Sequence, residues 1–396
     1  MKYIVLVPDG MADLPLEQLG GKTPLEVAQT PYMDSVVQNG LLAQAITIPP
    51  GLSPASDVAN LSIMGYDPQK YYSGRAPLEA AYMGVDLAND AIAFRCNLVT
   101  VSDEKMADYS AGHISSKEAA VFISELNKNL GSDLIRFYPG VSYRHLLVLK
   151  GLNVEDLAGV LCVPPHDILN QPIKKYLPKG KGALVPLELM ERSKAILFSQ
   201  EINKVRVDLG ENPANMIWLW GQGQKPSLPS FKEKFGLTGA VISAVDLIKG
   251  IGKLAGLDVI NVEGATGYYD TNYLGKAQAG IRALETRDFL FIHVEAPDEA
   301  GHNGDLRMKI AAIERFDKYV VGTILDHFKN RKDFRLMVLP DHATPIELRK
   351  HTTDKICVAM MGQGIASNGF NVFNEAEARK SETFFEGHQL MEVLLK

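Results

Sequence analysis

FLFIHVEAPDEAGHNGD (289–305) begins as an apolar run, FLFIHV, and ends with a carboxylate, a glycine and an imidazole. The run has the length and β-branched or aromatic content of a buried strand. Asp298 and His302 follow it, four residues apart. Two readings compete. One is ordinary polarity where a strand reaches the surface; the other is a metal site. The remaining strands decide between them.

Comparable short runs occur at YIVLV (3–7), LLVL (146–149), MIWLW (216–220), AVIS (240–243), LDVI (257–260) and LMVL (336–339). Amphipathic stretches alternate with them, notably NYLGKAQAGIRALE (272–285) and KIAAIERFDKYVVGTILDHF (309–328). In the latter, Ile310, Ile313, Phe316, Val320, Ile324 and Leu325 recur at helical spacing. Strand–helix alternation predicts an α/β fold with a mostly parallel sheet flanked by helices. Between these blocks the pattern is irregular, with loop-rich VPPHDILNQP (163–172) and YLPKGKGA (176–183). An inserted α+β cap domain over 71–205 is expected there, with 1–70 and 206–396 forming the core. No internal repeat or low-complexity segment is present.

The chain has 396 residues, enough for two domains at roughly 100–200 residues each. Its net charge of −6 argues against nucleic acid or an anionic membrane as partner. No run approaches the ~18–20 apolar residues of a transmembrane helix, and the N-terminus enters a strand without a signal-peptide core. Cys96, Cys162 and Cys357 are widely spaced, which gives neither a disulfide framework nor a thiolate site. A cytoplasmic protein is expected. Nothing in the sequence sets an oligomeric state.

Acid and imidazole groups recur at apparent strand ends: Asp9 in VPDG (7–10), Asp298 and His302, Asp341 and His342 in LPDHAT (339–344), and His351 in RKHTTDK (349–355). Ligands of open parallel sheets bind outside the carboxyl ends of the strands. A mixed Asp/His set suits Mn, Mg, Zn, Co or Fe. Six ligands exceed the usual three of one catalytic zinc. They suit two ions ~3.5–4 Å apart, an arrangement used for phosphoryl transfer. Each pair alone is as well explained by a solvated turn. Ser56, in GLSPASDVANLSIMGYDP (51–68), stands where a helix begins. Spacing alone favours an N-cap there; the other reading is a nucleophile activated by a cation at a phosphate-binding helix terminus.

Asp9, SPASDVANLSIMGYDP, YYSGRAPLEA (71–80), AFRCNLVT (93–100), VISAVDLIKGIG (241–252), EAPDEAGHNGD, PDHATP and KHTTDK together resemble the archaeal-type cofactor-independent phosphoglycerate mutases of the alkaline phosphatase superfamily. The resemblance spans nearly the whole chain and keeps the motif order. It implies one ion held by Asp298, His302 and His351. It implies a second held by Asp9, Asp341 and His342, with Ser56 as nucleophile and ligand. It further implies a phosphoserine intermediate and conversion of 3-phosphoglycerate to 2-phosphoglycerate, with the cap excluding water. Two divalent ions are expected, manganese first and Zn, Mg or Co next. Arg75, Arg95, Arg144 and Lys249 are candidates to hold the anionic substrate, and Asn97 its hydroxyl.

The sequence departs from archaeal members in MADYSAGHIS (106–115), which lacks their arginines and carries Asp108. With PPHDI (164–168) and SYRHLL (142–147), this resembles a bacterial branch proposed as homoserine kinases. Asp108 would then meet an ammonium group. The alternative is thus a phosphotransferase making phosphohomoserine from a phosphomonoester such as phosphoserine. GGKT (20–23) lacks the first P-loop glycine, its place being taken by Leu16, and KGIGKLAG (249–256) does not match GxGxxG. No nucleotide is expected; the partner is a small phosphorylated metabolite. A phosphomonoesterase ranks lower, a sulfatase lower still because no CxPxR-like context surrounds Ser56, and a metal-stabilised binding protein last.

Overall fold

The computed structural model describes residues 1–396 and divides into two compact units, Met1–Tyr72 with Ser227–Lys396, and Ser73–Pro226. Thirteen strands occur: β1 (Lys2–Pro8), β2 (Gly40–Ile46), β3 (Ala91–Ser102), β4 (Lys105–Asp108), β5 (Ile135–Val141), β6 (Arg144–Lys150), β7 (Met216–Gly223), β8 (Gly239–Ile242), β9 (Asp258–Val259), β10 (Phe289–Val294), β11 (Phe334–Val338), β12 (Ile356–Gly362) and β13 (Phe384–Glu386).

The first unit is built on an eight-stranded sheet of order β13-β2-β12-β11-β1-β10-β8-β9. Its centre is parallel: β1 pairs with β10 and β11, and β10 with β8. Only the β11–β12 and β12–β2 pairs are antiparallel. Strands β1 and β10 are continuous apolar runs because helices cover both faces of a parallel sheet. Ile4, Leu6, Leu290 and Ile292 accordingly join Phe316, Val320 and Ile324 in one core cluster. The expected helix over 309–328 is present with a change of pitch: an α-helix over Leu306–Phe316, a π-helical turn over Asp317–Val321, then α-helix again to Phe328.

The second unit holds an antiparallel sheet of order β4-β3-β6-β5, with β7 pairing β3. The stretch 206–226, expected from its sequence to join the core, instead falls in this second unit, because β7 pairs with β3. MIWLW lies in β7, whose Trp218, Leu219 and Trp220 face β3 partners Asn97, Cys96 and Arg95 in register. LDVI yields only the two-residue edge strand β9. No helix is long and apolar enough to cross a membrane.

A pH dependence follows from His145 in β6. It is buried, accepts from the Gly140 amide at Nδ1 (3.0 Å), and leaves Nε2 without a partner. Burial pushes its pKa from 6.5 down to about 3. The folded protein thus keeps the ring neutral, whereas the unfolded chain takes up a proton below about pH 6.5. Its contribution is fully present above that pH and is lost as pH falls from 6.5 towards 3. Urea midpoints measured from pH 8 to 4.5 should fall more steeply for the wild type than for His145→Gln.

Candidate metal centre

Strands β11, β1 and β10 are neighbours and run parallel, so whatever follows each lies at one edge of the sheet. Asp9 follows β1 directly, Asp341 stands three residues beyond β11, and Asp298 lies on the helix Ala296–Asn303 that begins just after β10. That helix places Asp298 and His302 one turn apart on the same face, and His302 Nε2 lies 3.2 Å from Asp298 Oδ2. The polar segment after FLFIHV is therefore helix, where a solvated turn was the competing reading. Gly10 follows Asp9 with φ +60°, and a Cβ there would collide with the side chains of Asp298 and Thr344. The strand end needs glycine to let these carboxylates approach.

The ligand atoms gather in two sets, each within 4.8 Å: Asp298, His342 and His351, and Asp9, His293 and Asp341. His302 Nε2 is 2.9 Å from His351 Nε2. His351 Nε2 is 3.4 Å from Asp298 Oδ1. His342 Nε2 lies 3.4 Å from Asp9 Oδ1 and 3.5 Å from Asp341 Oδ2, so it borders both sets. Its ring packs on that of His351 at 4.0 Å between centroids. All seven residues selected from sequence, Ser56 included, come together here. Asp298, His302 and His351 approach one another as the resemblance implies, and so do His342, Asp9, Asp341 and Ser56; His342 also falls within reach of Asp298 and His351, and His293 within reach of Asp9 and Asp341.

His293 was missed. It sits inside β10, where a histidine in an apolar run reads as core. A signal was present nonetheless: in the parallel register it faces Val7, two residues before Asp9. Asn60 was also missed; its amide donates to Asp341 Oδ2 at 2.7 Å. Asp341 further accepts from the Gly10 and His342 amides.

Ser56 is the first residue of the helix Ser56–Ile63, and Ala55 occupies the cap position without a side-chain cap. The N-cap reading of Ser56 does not hold. Its Oγ lies 3.1 Å from His342 Nε2. Neighbouring Asp57 is turned away, accepting from the Val58 amide at 2.9 Å and the Tyr72 hydroxyl at 2.7 Å.

The electrostatics suit cations. Burial, then Asp341 and Asp298, push the Asp9 carboxyl well above the ordinary carboxylate range. Burial also opposes ionisation of Asp298, but the hydrogen bonds and charges of His302 and His351 outweigh it and hold that carboxyl low. His302 is raised to about 9: burial lowers it, and Asp298 more than compensates. Burial keeps His342 and His293 low, the latter at about 4, so both are neutral imidazoles of the kind that ligate metals. Asp9 Oδ1 and His293 Nε2 are buried without a hydrogen-bond partner, although His293 Nε2 approaches Asp9 Oδ2 to 3.0 Å. Buried unpaired acceptors among three aspartates are a costly arrangement unless a cation satisfies them. These residues fit divalent ions, and the donor set of carboxylate and imidazole fits first-row metals.

The Ser73–Pro226 unit carries a separate cationic cluster. Glu79 bridges two arginines, with Oε1 3.1 Å from Arg75 Nε and Oε2 2.9 Å from Arg95 Nε. Burial would raise Glu79, but Arg95, Arg75 and also Arg144 hold it below its ordinary value. Burial lowers Arg95 to about 10, still charged at neutral pH. Its guanidinium lies over the Trp220 ring at 4.2 Å, and Trp220 Nε1 donates to Asn97 Oδ1 at 3.1 Å. Arg75, Arg95, Asn97 and Arg144 are thus brought together around Glu79 and Trp220. Glu79 and Trp220 were not selected from sequence, although the Arg75–Glu79 spacing of four was readable.

Lys249 is on the helix Asp246–Leu254 of the other unit, 3.9 Å from Asp246. Asp108, selected as the partner of an ammonium group, accepts four hydrogen bonds from the protein itself, three within its own loop and one from Asn212. Oδ1 accepts from the Ser110 amide and hydroxyl, and Oδ2 from the Gly112 amide and Asn212. Those bonds outweigh burial and lower its carboxyl pKa.

Comparison with known proteins agrees with this geometry. The family model for 2,3-bisphosphoglycerate-independent phosphoglycerate mutase matches residues 38–203. Proteins with that name from Methanosarcina barkeri and Methanothrix thermoacetophila are 51% and 50% identical to this chain, with both partners covered completely. A solved cofactor-independent phosphoglycerate mutase from Thermoplasma acidophilum is similar over 100% of this chain and 99% of its own, at 25% identity and a TM-score of 0.67. Identity of this level along the entire length, with an acid–imidazole cluster at the sheet edge, places the chain in the family of 2,3-bisphosphoglycerate-independent phosphoglycerate mutases.

Proposed function

We propose that the protein interconverts 3-phosphoglycerate and 2-phosphoglycerate by metal-dependent phosphoryl transfer through phospho-Ser56, without 2,3-bisphosphoglycerate. The observation that carries this reading is the approach of Ser56 Oγ to His342 within a cluster of buried Asp and His side chains at the sheet edge. Asp298, His302, His342 and His351 would hold one divalent ion. Asp9, Asp341 and His293 would hold the other, with His342 and Ser56 at its border. Manganese is our expectation for both. Such ions neutralise phosphoryl oxygens and lower the pKa of a serine hydroxyl.

The chain's own groups do the rest. Ser56 Oγ gives up its proton and attacks phosphorus, the bond from phosphorus to the glycerate oxygen breaks, and that oxygen takes up a proton as it leaves, so that no net proton is gained or lost. The helix starting at Ser56 directs its positive end at the incoming phosphoryl group. The neighbouring glycerate hydroxyl then attacks phospho-Ser56, which frees Ser56 and completes the isomerisation. Arg75, Arg95 and Arg144 supply the grip that a carboxylate or phosphate needs, with Lys249 as a further cation. In this reading Ser73–Pro226 is the substrate-binding unit and the remainder the catalytic one. The free cysteines suit a cytoplasmic setting.

The test uses metal-stripped protein given manganese and 3-phosphoglycerate, with no 2,3-bisphosphoglycerate added. Product 2-phosphoglycerate should appear, chelation should reduce the rate to background, and manganese should restore it. Phosphohomoserine from phosphoserine and homoserine, with no 2-phosphoglycerate formed, would overturn the substrate assignment. Full turnover after exhaustive chelation would overturn the metal mechanism.

A further inference from the structure

We infer that Thr344 is a positioning residue whose single hydroxyl couples the two cation-binding sets; this rests on the reading that those sets hold divalent ions. Thr344 lies in the loop after β11 and is fully buried. Its amide donates to the Ala12 carbonyl at 3.2 Å, and its carbonyl accepts from the Lys309 ammonium at 2.8 Å. Gly301 packs against it so closely that a Cβ there would meet its methyl group at 2.8 Å. The backbone of Thr344 is held at both its amide and its carbonyl, and that backbone aims the hydroxyl.

That hydroxyl contacts Asp298 Oδ1, in one set, and lies 3.3 Å from Nδ1 of His342, which borders both. A threonine hydroxyl has one proton to donate. A carboxylate that ligates a metal is ionised and can only accept. The Thr344 proton therefore goes to Asp298, and the hydroxyl oxygen is left to accept from His342 Nδ1–H. This fixes the His342 tautomer with Nε2 bare. Nε2 is the atom that points at Ser56 Oγ (3.1 Å), Asp9 Oδ1 (3.4 Å) and Asp341 Oδ2 (3.5 Å). One hydroxyl thus orients the carboxylate of one set and presents the ring nitrogen shared with the other. Hydrogen bonds of this kind set ligand orientation and metal affinity at many protein metal centres.

The test compares Thr344→Val, which keeps shape and loses the hydroxyl, with Thr344→Ser, which keeps the hydroxyl and loses the methyl. Metal-stripped wild type and variants are titrated calorimetrically with manganese, and melting curves of the metal-free proteins report folding. We expect two equivalents bound by the wild type, an affinity drop of about 10–100-fold in Thr344→Val, and near wild-type affinity in Thr344→Ser. Unchanged affinity in Thr344→Val would overturn the inference alone, as would an equal loss in Thr344→Ser, which would assign the effect to packing of the methyl. Wild-type protein that takes up no manganese would overturn the two-metal reading and the inference with it.

Discussion

Ser56→Ala is expected to lower turnover of 3-phosphoglycerate on the order of a thousandfold or more, the scale seen when a nucleophile is removed from an enzyme that forms a covalent intermediate. Rapid quenching of the wild type with labelled substrate should trap label on the protein, and the variant should trap none. The fold should be indifferent to the change. Ser56 does not cap its helix, and the side chains that organise that helix terminus are its neighbours: Asp57 on Val58 and Tyr72, and Asn60 on Asp341. Melting curves of the metal-free proteins should therefore coincide. Manganese should still bind through the carboxylates and imidazoles, with some loss if Ser56 Oγ is itself a ligand. A variant that keeps more than a few per cent of wild-type turnover would remove Ser56 from the mechanism. A variant that traps label elsewhere would name a different nucleophile.

The metal cluster was legible because it obeys a rule of topology. Asp9, Asp298 and Asp341 each follow a buried strand, and in a parallel sheet all such positions share an edge. His293 escaped because it obeys the opposite rule: it lies within a strand, where an apolar context hides a ligand. MIWLW was assigned to the wrong sheet for a related reason. A continuous apolar run signals burial on both faces, yet it does not say which sheet the strand joins, and β7 pairs with β3. Asp108 has a structural task that its sequence context partly shows: an aspartate followed by Ser110 and Gly112 closes its own loop through Asx-type hydrogen bonds, while its fourth donor, Asn212, is far along the chain and not legible from spacing. The arginine cluster was chosen by residue type; Glu79 is readable as the i+4 partner of Arg75, but its second partner, Arg95, is visible only once β3 and the helix Arg75–Met83 are placed side by side.

Lys309→Met is expected to destabilise the metal-free protein by about 3–5 kcal/mol, the usual cost of removing one member of a buried ion pair. Lys309 is fully buried on the helix Leu306–Phe316. Its ammonium donates to Asp13 Oδ2 at 2.7 Å and to the carbonyls of Ala12 and Thr344 at 3.2 and 2.8 Å. Asp13 in turn accepts from the Ile346 amide, and its own amide donates to Glu375, which also accepts from Thr23. Methionine fills the same space but leaves the Asp13 carboxylate buried beside Glu375 with no cation between them. The position of Lys309 makes the loss more than one of stability. Ala12 lies in the segment that starts at Asp9, and Thr344 in the segment that carries Asp341 and His342. The ammonium holds these two segments together from beneath the metal cluster. Manganese affinity should therefore fall along with the urea midpoint. Adding Asp13→Asn to Lys309→Met should recover part of the stability, because it removes the stranded charge, but not the manganese affinity, because the ammonium's bonds to the Ala12 and Thr344 carbonyls remain lost. Equal recovery of both would mean that the ammonium acts only by neutralising Asp13. An unchanged urea midpoint in the single variant would mean that the buried pair contributes nothing that methionine packing does not replace.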